Sequence, residues 1–594
     1  AEIGQYMVQL DVGALDKLNV KLTDAHIVPA YVPFHSSQKT QRLLRWYERP
    51  DHPGTYSVLR KTDRVRLMYD KMTDYLNLAK FEHRGLLSAA YPVHDRRVVE
   101  RLLQEWASFR HVFSFSQPID EVRGYFGEKV AFYFLFVETL SVAEIALLLI
   151  ALPCTLAEAW MRGSELEDVP RLIYSICLIV WTMCFRIFWA RAEATYANRW
   201  GTELRGKRDL IKDQRNPGFK GVMMPSPLDE NRVELQANPR KRLTGRIIAS
   251  LVEATFMLVI VSAVSLNQVL AAEYNQAGDQ QAYQIAALSL AGQMKVFDFL
   301  WAILARRLTE LEQHVTLGDF DQAKAKKIFA MKFINTFYSF FYVAFFQDVL
   351  DHKSCVQAGG CKALLKNNLD IVYVTYIAFG ALDIFVPLAT FKMNIWLEAR
   401  ALGKQGREDT SLSFLEQQAK MQAYQGDDYN ADWMQIILPL YFFSMFSMVS
   451  PLLAVGLAAV QISTQLRADA WKLCVAYRRT FPDRAAGIGV WNKQVGLLEF
   501  LSIGVNILLV ITQLDVVRML KLWPSFAQAV QDRPVMGKAL IFFVLATASV
   551  TLRHVVRAVV PDVPSSVVLE QARQEVQRMR VYEGQTAAAR EKIQ

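Results

Sequence analysis

The apolar positions of this chain do not alternate as in half-buried strands, nor recur only every third or fourth residue. They gather into unbroken blocks of about 20 residues, such as 247–266, 330–346, 369–388 and 498–514. A helix of that length spans a hydrocarbon core about 30 Å thick. Blocks of this kind fall near 128–153, 171–190, 246–271, 283–304, 328–349, 368–390, 432–450, 452–470, 494–514 and 537–560. One such block alone reads equally well as a buried core helix; a series of about ten predicts a mainly α, polytopic membrane protein. Residues 1–125 are of soluble character, with an alternating stretch at 6–12 and a helical one at 96–108, and predict a small cytosolic α/β domain. The ten-helix domain follows over 126–565, and 566–594 read as a charged, cytosolic C-terminal helix. The opening residues 1–24 are mixed and polar and do not read as a signal peptide.

Composition agrees: the chain is 52% hydrophobic, above the usual soluble range of about 45–50%. The net charge of +9 would suit nucleic acid, but Lys and Arg sit in connections between apolar blocks and form no stripe with stacking aromatics. Their distribution instead sets a topology. The connection after the second block carries Arg205, Lys207, Arg208, Lys212, Arg215 and Arg240, and those after the fourth, sixth and eighth are also basic. The connection after the first block is acidic (Glu158, Glu165, Glu167, Asp168), and the one after the third holds Glu273 and Asp279 with no Lys or Arg. The positive-inside rule puts the even connections and both termini in the cytosol. Arg518, Lys521 and Arg533 after the ninth block are an exception. Cys355 and Cys361 then fall on the non-cytosolic side, where disulfides persist, and are expected to be disulfide-bonded with partners left open. Six cysteines without a CxxC pair give no zinc site, and no nucleophile–base–oxyanion set suggests an enzyme.

Ionisable groups inside a bilayer are costly and mark function. The later blocks hold Asp383, Asp432, Gln435, Gln465 and Asp469; Asp432 and Gln435 are three apart and Gln465 and Asp469 four apart, so each pair shares a helix face. Hard oxygens converging from three helices suit Ca²⁺. The same residues could equally pair with cations, for example Asp469 with Arg467 or Lys472. Lys295 and Asp298 in the fourth block and Lys332 and Asn335 in the fifth could line a hydrophilic path, or form a buried ion pair that fixes packing.

Several segments carry a family likeness. Residues 91–95 (YPVHD) and 117–134 (QPIDEVRGYFGEKVAFYF) resemble the approach to the first span of anoctamins, and 188–202 (FWARAEATYANRWGT) the end of their second. Residues 308–346 resemble the fourth-to-fifth-span segment. Residues 355–361 (CVQAGGC), 465–472 (QLRADAWK), 478–491 (RRTFPDRAAGIGVW) and 560–564 (VPDVP) continue the series in family order, and the likeness covers about 85–585. It implies a homodimer of ten-helix subunits, each with a membrane-exposed groove formed by spans three to seven. Family members are Ca²⁺-activated anion channels, phospholipid scramblases, or both. The expected function is a phospholipid scramblase with non-selective ion conduction, in plasma membrane or endoplasmic reticulum. An anion or cation channel without scrambling, and a membrane tether with an inactive groove, are the alternatives. Phospholipids and inorganic ions are the expected partners, with no nucleic acid.

The resemblance also implies a departure. The family calcium site uses an Asn and a Glu on span six, two acids on span seven, and a Glu and an Asp on span eight. The corresponding positions here are Phe379 and Asp383, Asp432 and Gln435, and Gln465 and Asp469. Five carboxylates become three, which leaves room for one weakly bound Ca²⁺ and no other cofactor. Lys332 stands where the family usually has Gln.

Overall fold

The computed structural model describes residues 60–76, 84–87, 90–112, 116–164, 166–202, 218–225, 233–276, 280–347, 360–404, 413–514 and 534–573, with the strand pairs below and a few single positions besides. The described part of the N-terminal region holds a hairpin of β1 (Tyr47–Glu48) and β2 (Tyr56–Ser57), then α1 (Lys61–Tyr75) and α2 (Arg96–Glu105). The short α3 (Ile119–Phe126) leads to the membrane helices α4 (Glu128–Trp160) and α5 (Val169–Trp200). A second hairpin, β3 (Val222–Pro225) with β4 (Val233–Gln236), precedes α6 (Pro239–Gln276), α7 (Gln280–Leu311) and α8 (Leu317–Phe341). The chain continues with α9 (Cys361–Lys404), α10 (Phe414–Lys420), α11 (Gly426–Phe446), α12 (Pro451–Val475), α13 (Val490–Gln513) and α14 (Pro534–Val559).

Among the described residues, seven helices are long and apolar enough to cross a membrane: α4, α5, α6, α8, α11, α13 and α14. The helices α7, α9 and α12 are of comparable length, 32, 44 and 25 residues, and fall at the remaining three apolar blocks. The helices overrun the blocks that mark them. The block at 328–349 belongs to a helix that begins at Leu317, so Lys324, Lys326 and Lys327 are helical rather than in a connection. A 33-residue helix such as α4 is roughly 50 Å long at 1.5 Å per residue. It projects well beyond the hydrocarbon layer, and its ends need not be apolar.

Local chemistry sets the boundaries. Pro170 and Pro451 sit in the first turns of α5 and α12, where a missing N–H costs nothing. Thr316 caps α8 by accepting from the Asp319 amide at 3.1 Å. Gly201 ends α5 in the left-handed conformation (φ 67°). Gly127 breaks α3 from α4 at φ 98°, and a Cβ there would lie 2.8 Å from the Pro482 backbone.

Packing divides the helices into centre and rim. The main core joins α4, α5, α8, α11, α12 and α13, and α11 is its axis, with 16 residues from Tyr429 to Phe446 buried. A second core ties α6 to α7 and α8 through Ile260, Val264, Trp301 and Met331. A third joins α5, α13 and α14 through Met183 and Ile507. By contrast, α6 and α14 turn bare apolar faces outward, including Leu251, Leu258, Phe543 and Val544. Such continuous exposed apolar surface belongs against lipid.

The membrane helices are fastened to the N-terminal region by buried charge. Glu128 at the start of α4 accepts from Arg60 (2.9 Å), Arg123 (3.2 Å) and Arg66, and Arg66 also reaches the backbone oxygen of Pro482. Arg467 of α12 donates to the backbone oxygens of Trp106 (2.5 Å), His111 (3.0 Å) and Ser114 (2.7 Å) and to Gln117 Oε1 (3.0 Å). His94 Nε2 donates to the Tyr477 carbonyl at 3.1 Å and its Nδ1 accepts from the Tyr125 hydroxyl at 2.9 Å. Burial pushes the imidazole down to about 4 despite the Tyr477 bond, so it is neutral in this arrangement.

Candidate functional site

Among the described residues, two polar features of the helix bundle hold most of the expected site residues. The first is a seam where α6, α7 and α8 meet. Asn335 of α8 is 2% exposed. Its amide donates to Asp298 Oδ1 at 3.0 Å and to the Met294 carbonyl at 2.9 Å, both on α7. Ser265 of α6 and Tyr338 of α8 share a hydrogen bond of 2.7 Å, and Asn267 of α6 donates to Ser289 of α7 at 2.6 Å. Lys295 is exposed one turn before Asp298, and Lys332 is half-buried one turn before Asn335. Beside the seam, α6 carries a shallow and mainly apolar groove lined by Leu251, Thr255, Leu258, Ser262 and Leu266. Thus the structure brings Asp298 and Asn335 together, with Lys295 and Lys332 at their flanks. The sequence does not single out Ser265 and Asn267, because they stand in a run that also holds Ser262 and Gln268.

The second feature is a carboxylate pair at the junction of α4, α11 and α12. The spacing of Gln465, Asp469 and Lys472 puts all three on one face of α12. Asp432 comes from the second turn of α11, whose start is fixed by a capping box between Gln425 and Asp428. The Lys472 ammonium lies between the two acids, bonded to Asp432 Oδ1 and to Asp469 Oδ1, the latter at 2.8 Å. The Tyr424 hydroxyl donates to Asp432 Oδ2 at 2.6 Å, and the Tyr133 hydroxyl of α4 donates to Asp469 Oδ2 at 2.5 Å. Gln465 Nε2 donates to Asp469 Oδ1 at 2.8 Å. Asp432, Asp469 and Lys472 are each at most 3% exposed. The rings of Tyr429 and Trp433 wall the cluster beside Tyr133, with centroids 6.3 and 5.2 Å from it.

Of the expected calcium ligands, Asp432, Gln465 and Asp469 therefore converge. Gln435 is half-buried on α11, and its backbone carbonyl accepts from Gln461 Nε2 at 3.0 Å. Asp383 lies on α9, and its side chain and that of Phe379 are outside the described residues, as are Cys355 and the side chain of Cys361. Ca²⁺ takes six to eight oxygens. All four carboxylate oxygens here already accept from protein donors, and Gln465 turns its NH₂ group, a donor, toward Asp469. In this arrangement the described side chains do not fit a divalent ion. Among the described residues no group of three or more His, Cys, Asp or Glu is placed to hold a metal. Tyr133 and Tyr424 were not legible as members of the site; Tyr133 is 336 positions from Asp469 and reads as one more aromatic in an apolar block.

Comparison with known proteins bears on most of the chain. Residues 122–574 match the family model described as "Anoctamin: Calcium-activated chloride channel". Anoctamin-10 of Homo sapiens is 25% identical over 525 residues, covering 84% of this chain and 72% of that protein. Anoctamin-10 of Danio rerio is 25% identical over 511 residues, 82% of this chain and 71% of that protein. Anoctamin-7 of Mus musculus is 22% identical over 557 residues, 78% of this chain and 63% of that protein.

Proposed function

The chain belongs to the anoctamin family of integral membrane proteins, whose members are channels or scramblases, and from that premise we propose that it is a phospholipid scramblase that also conducts ions. The observation that supports this reading is the polar seam of α6, α7 and α8, placed beside apolar faces that meet lipid. A headgroup moving along the exposed Lys295 and the half-buried Asp298, which buried Asn335 holds in place from behind, exchanges hydration for protein partners while its acyl tails remain in hydrocarbon. That removes most of the cost of drawing charge through the bilayer. The step is diffusion down a gradient and needs no covalent chemistry, so no enzyme activity is proposed. Inorganic ions are proposed to follow the same path.

The protein is proposed to act as a homodimer, with α14 at the interface, in plasma membrane or endoplasmic reticulum and with both termini in the cytosol. Its outward apolar face, with Phe543 at 67% and Val544 at 58% exposed, is suited to a partner helix as well as to lipid. Reconstitution into liposomes carrying fluorescent lipid tests the reading. Quenching of inner-leaflet label by an impermeant reductant is the expected result, together with ion flux from the same vesicles. Ion flux without lipid transfer would replace it with a channel; neither would leave a tether.

A further inference from the structure

The pocket that the family likeness assigns to a divalent cation already contains a cation. We propose that Lys472 is the resident positive charge of this pocket, occupying it in place of Ca²⁺ and holding α11 and α12 together whether or not calcium is present. This rests on the transport reading only for its consequence, a lipid pathway that runs without calcium; the occupancy itself is independent of what the pathway carries.

The geometry is that of a filled site. Four donor groups make five contacts to four carboxylate oxygens: Tyr424 and Tyr133 each take one, Gln465 shares one, and the ammonium bridges the other oxygen of each acid. Two carboxylates and one ammonium sum to a single negative charge, and all three groups are at most 3% exposed. An entering Ca²⁺ would have to displace an ammonium tethered through α12 itself, and the tether keeps its local concentration high at any calcium level. It would gain only two acids in return, and affinity in oxygen sites falls with the number of charged ligands. The lysine is held at the pocket by helix register: Lys472 follows Asp469 by three residues, so the two side chains share one face of α12. Deleting its charge exposes two buried carboxylates to each other, which is the condition under which a divalent ion binds.

The test uses the full chain in lipid nanodiscs. Equilibrium binding of radioactive calcium and calcium-dependent thermal stabilisation are read on wild type, Lys472→Met, Lys472→Arg and the double variant Lys472→Met/Asp432→Asn. Wild type and Lys472→Arg are expected to show neither binding nor stabilisation at micromolar calcium. Lys472→Met is expected to bind calcium at least about tenfold more tightly than wild type and to melt higher when calcium is added, with both effects lost in the double variant. Should Lys472→Met fail to fold in calcium-free buffer, it is prepared in calcium and then chelated; loss of the folded protein on chelation supports the proposal, and persistence overturns it. If it folds in neither buffer, the wild type decides, since stoichiometric micromolar binding overturns the proposal and its absence supports it. A folded Lys472→Met that ignores calcium also overturns it. None of these readouts involves transport, so a failed lipid assay leaves the result intact, and the reverse.

Discussion

Arg467 is the side chain by which the membrane bundle grips the segment before the first span, and replacing it with Met tests that role. Its guanidinium has four acceptors, the backbone oxygens of Trp106, His111 and Ser114 and the side-chain oxygen of Gln117. The bonds to His111 and Ser114 are partly buried, so water can replace the donor there. Those to Trp106 and Gln117 are fully buried and become orphaned. At roughly 1.5–3 kcal/mol for each bond to a charged donor, the two buried losses amount to about 3–6 kcal/mol. Methionine fills much of the volume, so the cavity contribution is small. The loss is local, because the main core of α4, α11 and α12 is untouched. Hydrogen exchange in nanodiscs is therefore expected to show the 106–117 segment losing protection by two to four orders of magnitude, about 1.4 kcal/mol per tenfold, while α11 and α12 keep theirs. Lys in place of Arg should recover only part, because one ammonium cannot match the geometry of a planar fork with four acceptors. Unchanged exchange in Arg467→Met would refute the clamp and leave the segment held by apolar contacts such as Trp106 with Phe134 (centroids 4.6 Å apart).

Three further outcomes are expected. Asn335→Leu removes the two seam hydrogen bonds that Asn335 makes and leaves Asp298 without its amide donor; lipid transfer in proteoliposomes should fall at least about tenfold, equivalent to about 1.4 kcal/mol on the barrier, and an unchanged rate would move the pathway elsewhere. His94 is depressed from 6.5 to about 4, so the unfolded chain binds its proton first as pH falls. The stability of the α2–α3 region should accordingly decline between pH 6.5 and 4, by up to about 3 kcal/mol at 1.36 per unit, and His94→Gln should flatten that decline in pH-dependent melting. Glu499 of α13 holds Arg553 (2.7 Å) and Arg557 (3.0 Å) of α14. Glu499→Gln should cost about 2–4 kcal/mol, since it strands two guanidiniums of which one is partly exposed, and should show as faster exchange in α14 and a lower melting temperature.

The sequence alone determined that this chain is a bundle of membrane-spanning helices. A membrane imposes one condition on every residue of a span, low polarity over about 20 positions, and that condition is written locally and read locally. The helix ends were less legible, since α8 begins at Leu317 among Lys324, Lys326 and Lys327, outside the bilayer where apolarity is no longer required. Individual acids could be singled out as well, because a charge in an apolar block is conspicuous wherever it points. Which groups meet was decided only in three dimensions. Asp432 and Asp469 could be read from their own helices as metal ligands or as ion-pair partners; the register of α11 against α12 put Lys472 between them. Tyr133 and Tyr424 joined because α4 and the turn before α11 pack against that face, and a phenol looks the same in sequence whether it donates to a buried carboxylate or lines a core. Burial is a property of single residues and leaves a pattern along the chain, whereas pairing depends on two distant positions at once and leaves none.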